Sequence, residues 1–163
     1  MRPSMFLALS CLLMLGACEA EKKPVESELE DIIVAWFDEG WNQGNTDVFE
    51  DTIAENVVFT HGTDSDTLSR EQMSDIVLQW REAFPGLHMA VEDILVDGDR
   101  AAVRITFTGT HEGEWAGAEP LGQDIHTALM VIFRFEEGRM VELWEISDQL
   151  NFQRQLGLLP DGD

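Results

Sequence analysis

The 163-residue sequence is short of cysteine, tyrosine and positive charge, and two of these shortages limit what the protein can do. The only cysteines are Cys11 and Cys18, and tyrosine is absent. Beyond residue 18 the chain therefore cannot form a disulfide, offer a thiol nucleophile or bind a metal through thiolates. Ten lysines and arginines stand against 32 aspartates and glutamates, for a formal charge of −22. Because so negative a chain repels phosphate backbones, we expect no binding to nucleic acid.

Common catalytic and cofactor motifs are lacking as well. The sequence contains no phosphate-binding glycine loop, no dinucleotide-binding fingerprint and no GxSxG nucleophile motif. Its four histidines, His61, His88, His111 and His126, do not have the spacing of a zinc site. We therefore expect neither a metal nor a cofactor, and interpret His88, His111 and His126 as structural.

The first 28 residues differ in composition from the rest. An apolar run over residues 5–15 follows Arg2 and is too short for an ordinary transmembrane helix, which is typical of a secretory signal. The next residues, Leu15-Gly16-Ala17-Cys18, resemble the lipobox of bacterial lipoproteins, and the alternative is a plain signal peptide cleaved near Ala20. The lipobox predicts a signal over 1–17, lipid on Cys18 and a polar tether over 18–28. We therefore expect a lipoprotein anchored in the cell envelope, facing the periplasm.

The remaining segment, 29–160, has the pattern of one α+β domain. Apolar residues recur at helical spacing over 29–41 and 73–84, and Ser69 with Gln72 is a capping-box signature. Alternating and continuous apolar runs predict strands over 56–60, 87–96, 101–110, 125–135 and 140–147, with 63–67 as a polar loop. Because helices precede a strand meander, we expect helices packed on one face of a curved antiparallel sheet. The strand at 125–135 is apolar at both parities, which favours a central position.

Several segments, in order along the chain, resemble the SnoaL-like polyketide cyclase family of the nuclear-transport-factor-2-like superfamily. The resemblance covers 29–160 and rests on these segments: Trp41-Asn42-Gln43-Gly44, Ala83-Phe84-Pro85-Gly86-Leu87, Gly98-Asp99-Arg100, Gly109-Thr110-His111-Glu112-Gly113, Gly138-Arg139-Met140-Val141-Glu142-Leu143-Trp144, Asp148, and Gln155-Leu156-Gly157. It implies a cone of bent sheet closed by helices around an internal pocket.

The resemblance also implies a catalytic position. Characterised cyclases of the family use an aspartate to remove a proton next to a carbonyl, and that position falls on Glu145. A solvent-facing role on its strand is the alternative for Glu145. The glutamine and histidine that the cyclases carry on the preceding strand are replaced by Leu129 and Val131. His61, which ends the first strand, either donates to a substrate oxygen or is a surface histidine at a turn.

Three further residues are candidates for ligand contact. Trp115, in a glycine-rich stretch, is the best candidate for a lid over the pocket. Trp144 either lines the pocket or packs under the helices. Asp148 lies at the pocket mouth, at the N-cap of the last helix, or at both. The other tryptophans lie on helical stripes and are expected in the core.

The sequence is compatible with two functions. The first is a cofactor-free lyase or isomerase resembling the polyketide and ester cyclases, acting on a small hydrophobic carbonyl compound. The second is a non-catalytic module of the cell envelope that binds a hydrophobic ligand or another protein. The resemblance also implies a homodimer formed through the sheet.

Overall fold

The structure is a computed structural model that describes residues 26–159. The predicted signal over 1–17, the lipidation site Cys18 and the tether up to residue 25 lie outside the described residues. The helices are α1 (Glu26–Ala35), a π-helical turn (Trp36–Asn42), a 3₁₀ turn (Thr46–Val48), α2 (Phe49–Thr52), α3 (Arg70–Ala83) and α4 (Gln149–Gln155). The strands are β1 (Ile53–His61), β2 (Asp64–Ser69), β3 (His88–Asp97), β4 (Arg100–Thr110), β5 (Asp124–Glu136) and β6 (Arg139–Ser147).

The six strands form one mixed sheet in the order β2-β1-β6-β5-β4-β3. Every neighbouring pair is antiparallel except β1 and β6, which run parallel. The expectation of a fully antiparallel sheet is therefore wrong at this one pair. The chain passes through α3 and four other strands between β1 and β6, so no hairpin forces their directions to oppose. Shifts of register within three strand pairs bend the sheet, as bulges do. The result is an α+β cone.

Strand β2 was expected to be a loop. Its sequence, Asp-Ser-Asp-Thr-Leu-Ser, is polar, and its first four residues are exposed. It pairs with β1 as an edge strand, and the hairpin turns at Gly62, whose φ is +63°. A strand that is exposed on both faces lacks the alternation of apolar and polar residues from which strands are predicted.

The two faces of the sheet have different roles. Along β5, buried and exposed residues alternate, with Val131 and Phe133 buried and Met130 and Ile132 exposed. The central position of β5 is as predicted, but one of its apolar faces is open to solvent. The other face meets the helices and forms the core, which includes Leu29, Ile33, Phe49, Phe84, Phe107 and Phe133.

Two helix starts are fixed by side-chain caps. Ser69 and Gln72 form the predicted capping box at the start of α3. The Asp148 carboxylate accepts a hydrogen bond of 3.1 Å from the backbone N–H of Asn151 at the start of α4. Each cap satisfies backbone donors that would otherwise lack a partner in the helix.

Candidate active site

A cavity of about 320 Å³ lies between the helices and the inner face of the sheet. Of its twenty lining residues, nine are aromatic, six are aliphatic or methionine, and five are polar. Its size and largely apolar wall are typical of a site for a small organic molecule.

Trp80 of α3 is at the centre of the aromatic wall. Its ring lies 4.3 Å from Trp115, 5.5 Å from Phe107 and 5.7 Å from Phe152, measured between centroids. Through these contacts α3 packs against β4, the loop between β4 and β5, and α4, which fixes the shape of the aromatic wall. Trp36 and Trp41, expected in the core, also line the cavity and come from the π-helical turn. Such turns are frequent at functional sites.

The polar end of the cavity is built where β1 and β6 end side by side. Strand alternation places Leu143, Glu145 and Ser147 on the inner face of β6. His61 of β1 is in register with Glu145, and the backbone N–H of Gly62 donates to the Glu145 carbonyl at 3.1 Å. Gln149 follows at the first position of α4 and completes the polar group.

These polar side chains contact one another. The His61 Nε2 atom lies 3.9 Å from Glu145 Oε1 and 3.3 Å from Ser147 Oγ. The Gln149 side-chain nitrogen donates to Ser147 Oγ at 2.8 Å and lies 3.1 Å from His61 Nε2. The fifth polar lining residue, Thr127, uses its hydroxyl to donate to the Asp148 carbonyl at 3.5 Å. The four residues His61, Glu145, Ser147 and Gln149 are called the polar cluster below.

The carboxyl group of Glu145 has an altered acidity. Burial raises its pKa above that of an ordinary glutamate, while the nearby His61 and a hydrogen bond from Ser147 lower it and only partly oppose the effect. Its side chain is 27% exposed, so one side still opens to a ligand. A carboxylate with a raised pKa is a stronger base than a free one, which suits proton abstraction.

The neighbouring strand supplies no polar group at this point. Val131 is in register with Glu145 and Leu129 with Ser147, and both line the cavity. The pairing places these two apolar side chains beside the polar cluster.

The other candidates fall in three different places. Trp115 lines the cavity from the loop between β4 and β5, where it forms a bridge with Ala118. Trp144 does not line the cavity and does not pack under the helices. It faces the outer side of the sheet, with the Arg100 guanidinium 5.4 Å from its ring centroid. Asp148 is outside the lining too, so of its two interpretations the structure shows the helix cap.

Ser147 and Gln149 were not predicted from the sequence. Both follow Glu145 at steps of two residues, so strand parity could have identified Ser147. Gln149 is the first residue of a helix, and only the packing of α4 against β5 brings it to the cluster. His111 was interpreted as structural and is fully buried against Phe84, yet neither ring nitrogen has a hydrogen-bond partner in the described chain.

Residues 26–159 contain neither a group of metal-binding side chains nor a membrane-spanning helix. Within that range no three histidine, cysteine, aspartate or glutamate side chains are placed to hold a metal ion. No helix in the same range is long and apolar enough to cross a membrane.

Solved structures share this architecture. AclR of Streptomyces galilaeus, provisionally assigned as a hydroxylase, is 28% identical with a TM-score of 0.75, over 85% of this chain and 87% of its own. A provisionally assigned SnoaL-like polyketide cyclase of Jannaschia sp. CCS1 is 25% identical with a TM-score of 0.75, over 86% and 99%. IdmH of Streptomyces antibioticus, provisionally assigned as a polyketide cyclase, is 28% identical with a TM-score of 0.69, over 79% and 98%.

The sequence comparisons give a family but no curated relative. A search of curated proteins found no match to this chain. The sequence profile of the SnoaL-like polyketide cyclases matches residues 31–156, which is most of the described chain. The cone fold, the internal cavity and this match agree, and the chain belongs to the SnoaL-like polyketide cyclase family.

Proposed function

We propose that the protein is a cofactor-free enzyme that removes a proton from the carbon next to a carbonyl in a small hydrophobic compound. The observation that carries the proposal is the position of Glu145, a carboxylate with a raised pKa at the polar end of a largely apolar cavity. The family match and the similarity to cyclase structures support the same chemistry.

The proposed step uses the side chains of the polar cluster alone. The Glu145 carboxylate takes the proton, and the electrons of the broken C–H bond form a C=C bond. The carbonyl π electrons move onto oxygen, which gives an enolate. Glu145 then returns the proton to the enolate carbon, or to the far carbon of a conjugated enolate, which isomerises the substrate. His61 is close enough to Glu145 to stabilise the ionised carboxylate.

Exchange of hydrogen for deuterium in 2-tetralone, an apolar bicyclic ketone with acidic α-protons, tests this step without knowledge of the natural substrate. We expect the protein to accelerate deuterium uptake from D₂O, followed by NMR, and Glu145→Gln to abolish the acceleration. Binding, followed by the fluorescence of the four lining tryptophans, should be retained in the variant. Acceleration that survives Glu145→Gln would refute the proposal.

A second function is favoured by one observation. Leu129 and Val131 make the wall beside Glu145 apolar, as a site that only holds a hydrophobic ligand requires. Tight binding of 2-tetralone by the wild-type protein with no accelerated exchange would establish this binding module instead of the enzyme.

We also propose that the domain is tethered to the cell envelope by lipid on Cys18 and faces the periplasm. The proposal rests on the lipobox-like Leu15-Gly16-Ala17-Cys18 after a short apolar run. Cys18→Ser should abolish lipid labelling and move the protein out of the membrane fraction. Unchanged fractionation of that variant would refute the anchor.

Self-association through the outer face of the sheet is a further proposal. That face exposes Met130, Ile132 and Ile146 to the extent of 55%, 43% and 62%, on adjacent strands. Apolar surface that is contiguous across two strands is typical of an interface between proteins. Native mass spectrometry tests this proposal. We expect a dimer for the wild-type protein and a monomer for Ile146→Asp, and a monomeric wild-type protein would refute self-association.

A further inference from the structure

Most polar side chains of the cavity lie in one place. Fifteen of the twenty lining residues are aromatic, aliphatic or methionine, and the Thr127 hydroxyl is already directed to the Asp148 carbonyl. Apart from the indole N–H groups of the four lining tryptophans, the hydrogen-bonding side chains of the lining therefore belong to the polar cluster.

Within the cluster, the residues divide into one acceptor and several donors. The ionised Glu145 carboxylate can only accept hydrogen bonds. Ser147 carries one O–H, which is directed to Glu145, and Gln149 carries two N–H groups. One Gln149 N–H donates to Ser147 Oγ at 2.8 Å, and Gln149 Nε2 also lies 3.1 Å from His61 Nε2. Both line the cavity next to Glu145.

The position of the donors relative to Glu145 is set by the strand register. On the β5 side, the residues opposite Glu145 and Ser147 are Val131 and Leu129, which carry no donor. On the β1 side, His61 Nε2 lies 3.9 Å from Glu145 Oε1 and 3.3 Å from Ser147 Oγ. The donors of the polar cluster other than His61 come from the end of β6 and the start of α4.

We propose that Gln149 and Ser147 hold the carbonyl oxygen of the substrate, and that the substrate is an apolar ketone or ester in which this carbonyl is the single polar group that needs a partner. This inference rests on the proposed function of Glu145. The substrate oxygen takes the place of Glu145 as the partner of the Ser147 O–H, and the place of His61 Nε2 as the partner of one Gln149 N–H. The adjacent carbon then faces the Glu145 carboxylate.

The electron and proton balance gives the donors a defined role. As Glu145 takes the proton, negative charge develops on the carbonyl oxygen, and the hydrogen bonds from Gln149 and Ser147 strengthen. Donors that bind an oxygen more tightly as its charge grows lower the barrier more than they lower the energy of the bound substrate.

The apolar wall explains why the substrate carries only one polar group that needs a partner. A hydroxyl or second carbonyl on the body of the substrate would face rings such as Trp80 and Phe107 and would lose its hydrogen bonds to water. Substrates with several polar groups along their length are therefore disfavoured, while planar or aliphatic apolar bodies are accepted.

The test compares 2-tetralone with tetralin, the hydrocarbon of the same skeleton that lacks the carbonyl. We expect the purified wild-type protein to bind the ketone several-fold more tightly, and Gln149→Leu to bring the two affinities close together by weakening ketone binding alone. For exchange of 2-tetralone, kcat should fall roughly ten- to a hundred-fold with a smaller change in KM, because an oxyanion donor has been removed.

Gln153→Leu is the matched control. It makes the same substitution in α4, at an exposed residue that does not line the cavity. We expect it to retain both the preference for the ketone and the exchange rate. Equal losses in Gln153→Leu and Gln149→Leu would overturn the role of Gln149.

Ser147→Ala provides an independent variant on the strand side of the cluster. We expect it too to reduce the preference for the ketone and the exchange rate. No preference in the wild-type protein, or a full preference in both Gln149→Leu and Ser147→Ala, would overturn the proposal. The wild-type protein could also prefer the ketone, and lose that preference in Gln149→Leu, yet show no exchange at all. That result would refute the catalytic function and leave the carbonyl-binding role established.

Discussion

Replacing Glu145 by glutamine should make the protein more stable at neutral pH. The pKa of this carboxyl is raised chiefly because burial penalises the charged form. Glutamine has nearly the same shape and no charge, so Glu145→Gln removes that penalty and keeps the contacts of the side chain. A gain in stability on removal of a functional group is typical of residues retained for activity.

The pH dependence of this gain has a definite sign. Because the folded-state pKa lies above the unfolded one, the unfolded chain releases its proton first as pH rises. Between the two pKa values, wild-type stability falls relative to the variant by at most about 1.4 kcal/mol per pH unit. The difference is absent below the ordinary glutamate pKa and reaches its full size above the raised one. Each unit of separation between the two pKa values contributes about 1.4 kcal/mol.

Urea denaturation of both proteins from about pH 3.5 to pH 8 measures this difference. Glu142→Gln is a control of opposite sign, because Glu142 is equally exposed at 27% but its pKa is lowered by a hydrogen bond from Arg134. That carboxylate stabilises the fold above the unfolded pKa, and the stabilisation is lost as pH falls through the folded pKa. The reasoning would be refuted if Glu145→Gln were less stable than the wild type at pH 7. It would also be refuted if the difference in unfolding free energy between the two proteins did not change with pH.

Two further predictions concern residues outside the polar cluster. Asp148→Ala should cost about 1 kcal/mol of stability in urea denaturation by removing the α4 cap, and Asp148→Asn much less, with ketone affinity unchanged in both. A fall in ketone affinity in Asp148→Asn at unchanged stability would show instead that Asp148 acts at the pocket mouth. His111→Phe should leave the free energy of unfolding unchanged or raise it by up to about 2 kcal/mol, because it removes two buried nitrogens that lack partners in the described chain. A loss of more than about 1 kcal/mol in the same measurement would contradict this.

Much of the fold was predictable because its elements carry strong local signals. The helical stripe and capping box of α3, and the alternation in β4, follow from side-chain spacing. Strand β2 was not predictable, since its first four residues are polar and exposed. The parallel pairing of β1 with β6 depends on contacts between distant segments, which no local pattern reports.

The candidate site was predictable only in part. The family pattern led to Glu145, and the end of a predicted strand led to His61. Trp144 was misplaced because the residues of β6 are apolar at both parities, and only the register with β5 shows which face meets the helices. Gln149 joins the cluster through the packing of a short helix, for which the sequence offers no signal.

The most direct test of the central claim is the pH–rate profile of deuterium exchange in 2-tetralone for the wild-type protein, Glu145→Gln and Glu142→Gln. If the Glu145 carboxylate is the base, the wild-type rate rises with pH along a limb centred above the ordinary pKa of glutamate. Glu142→Gln should keep that limb, and Glu145→Gln should show only the uncatalysed rate at every pH. His61→Phe should move the limb to higher pH, because His61 lowers the pKa of Glu145. A limb that persists unchanged in Glu145→Gln would contradict the account.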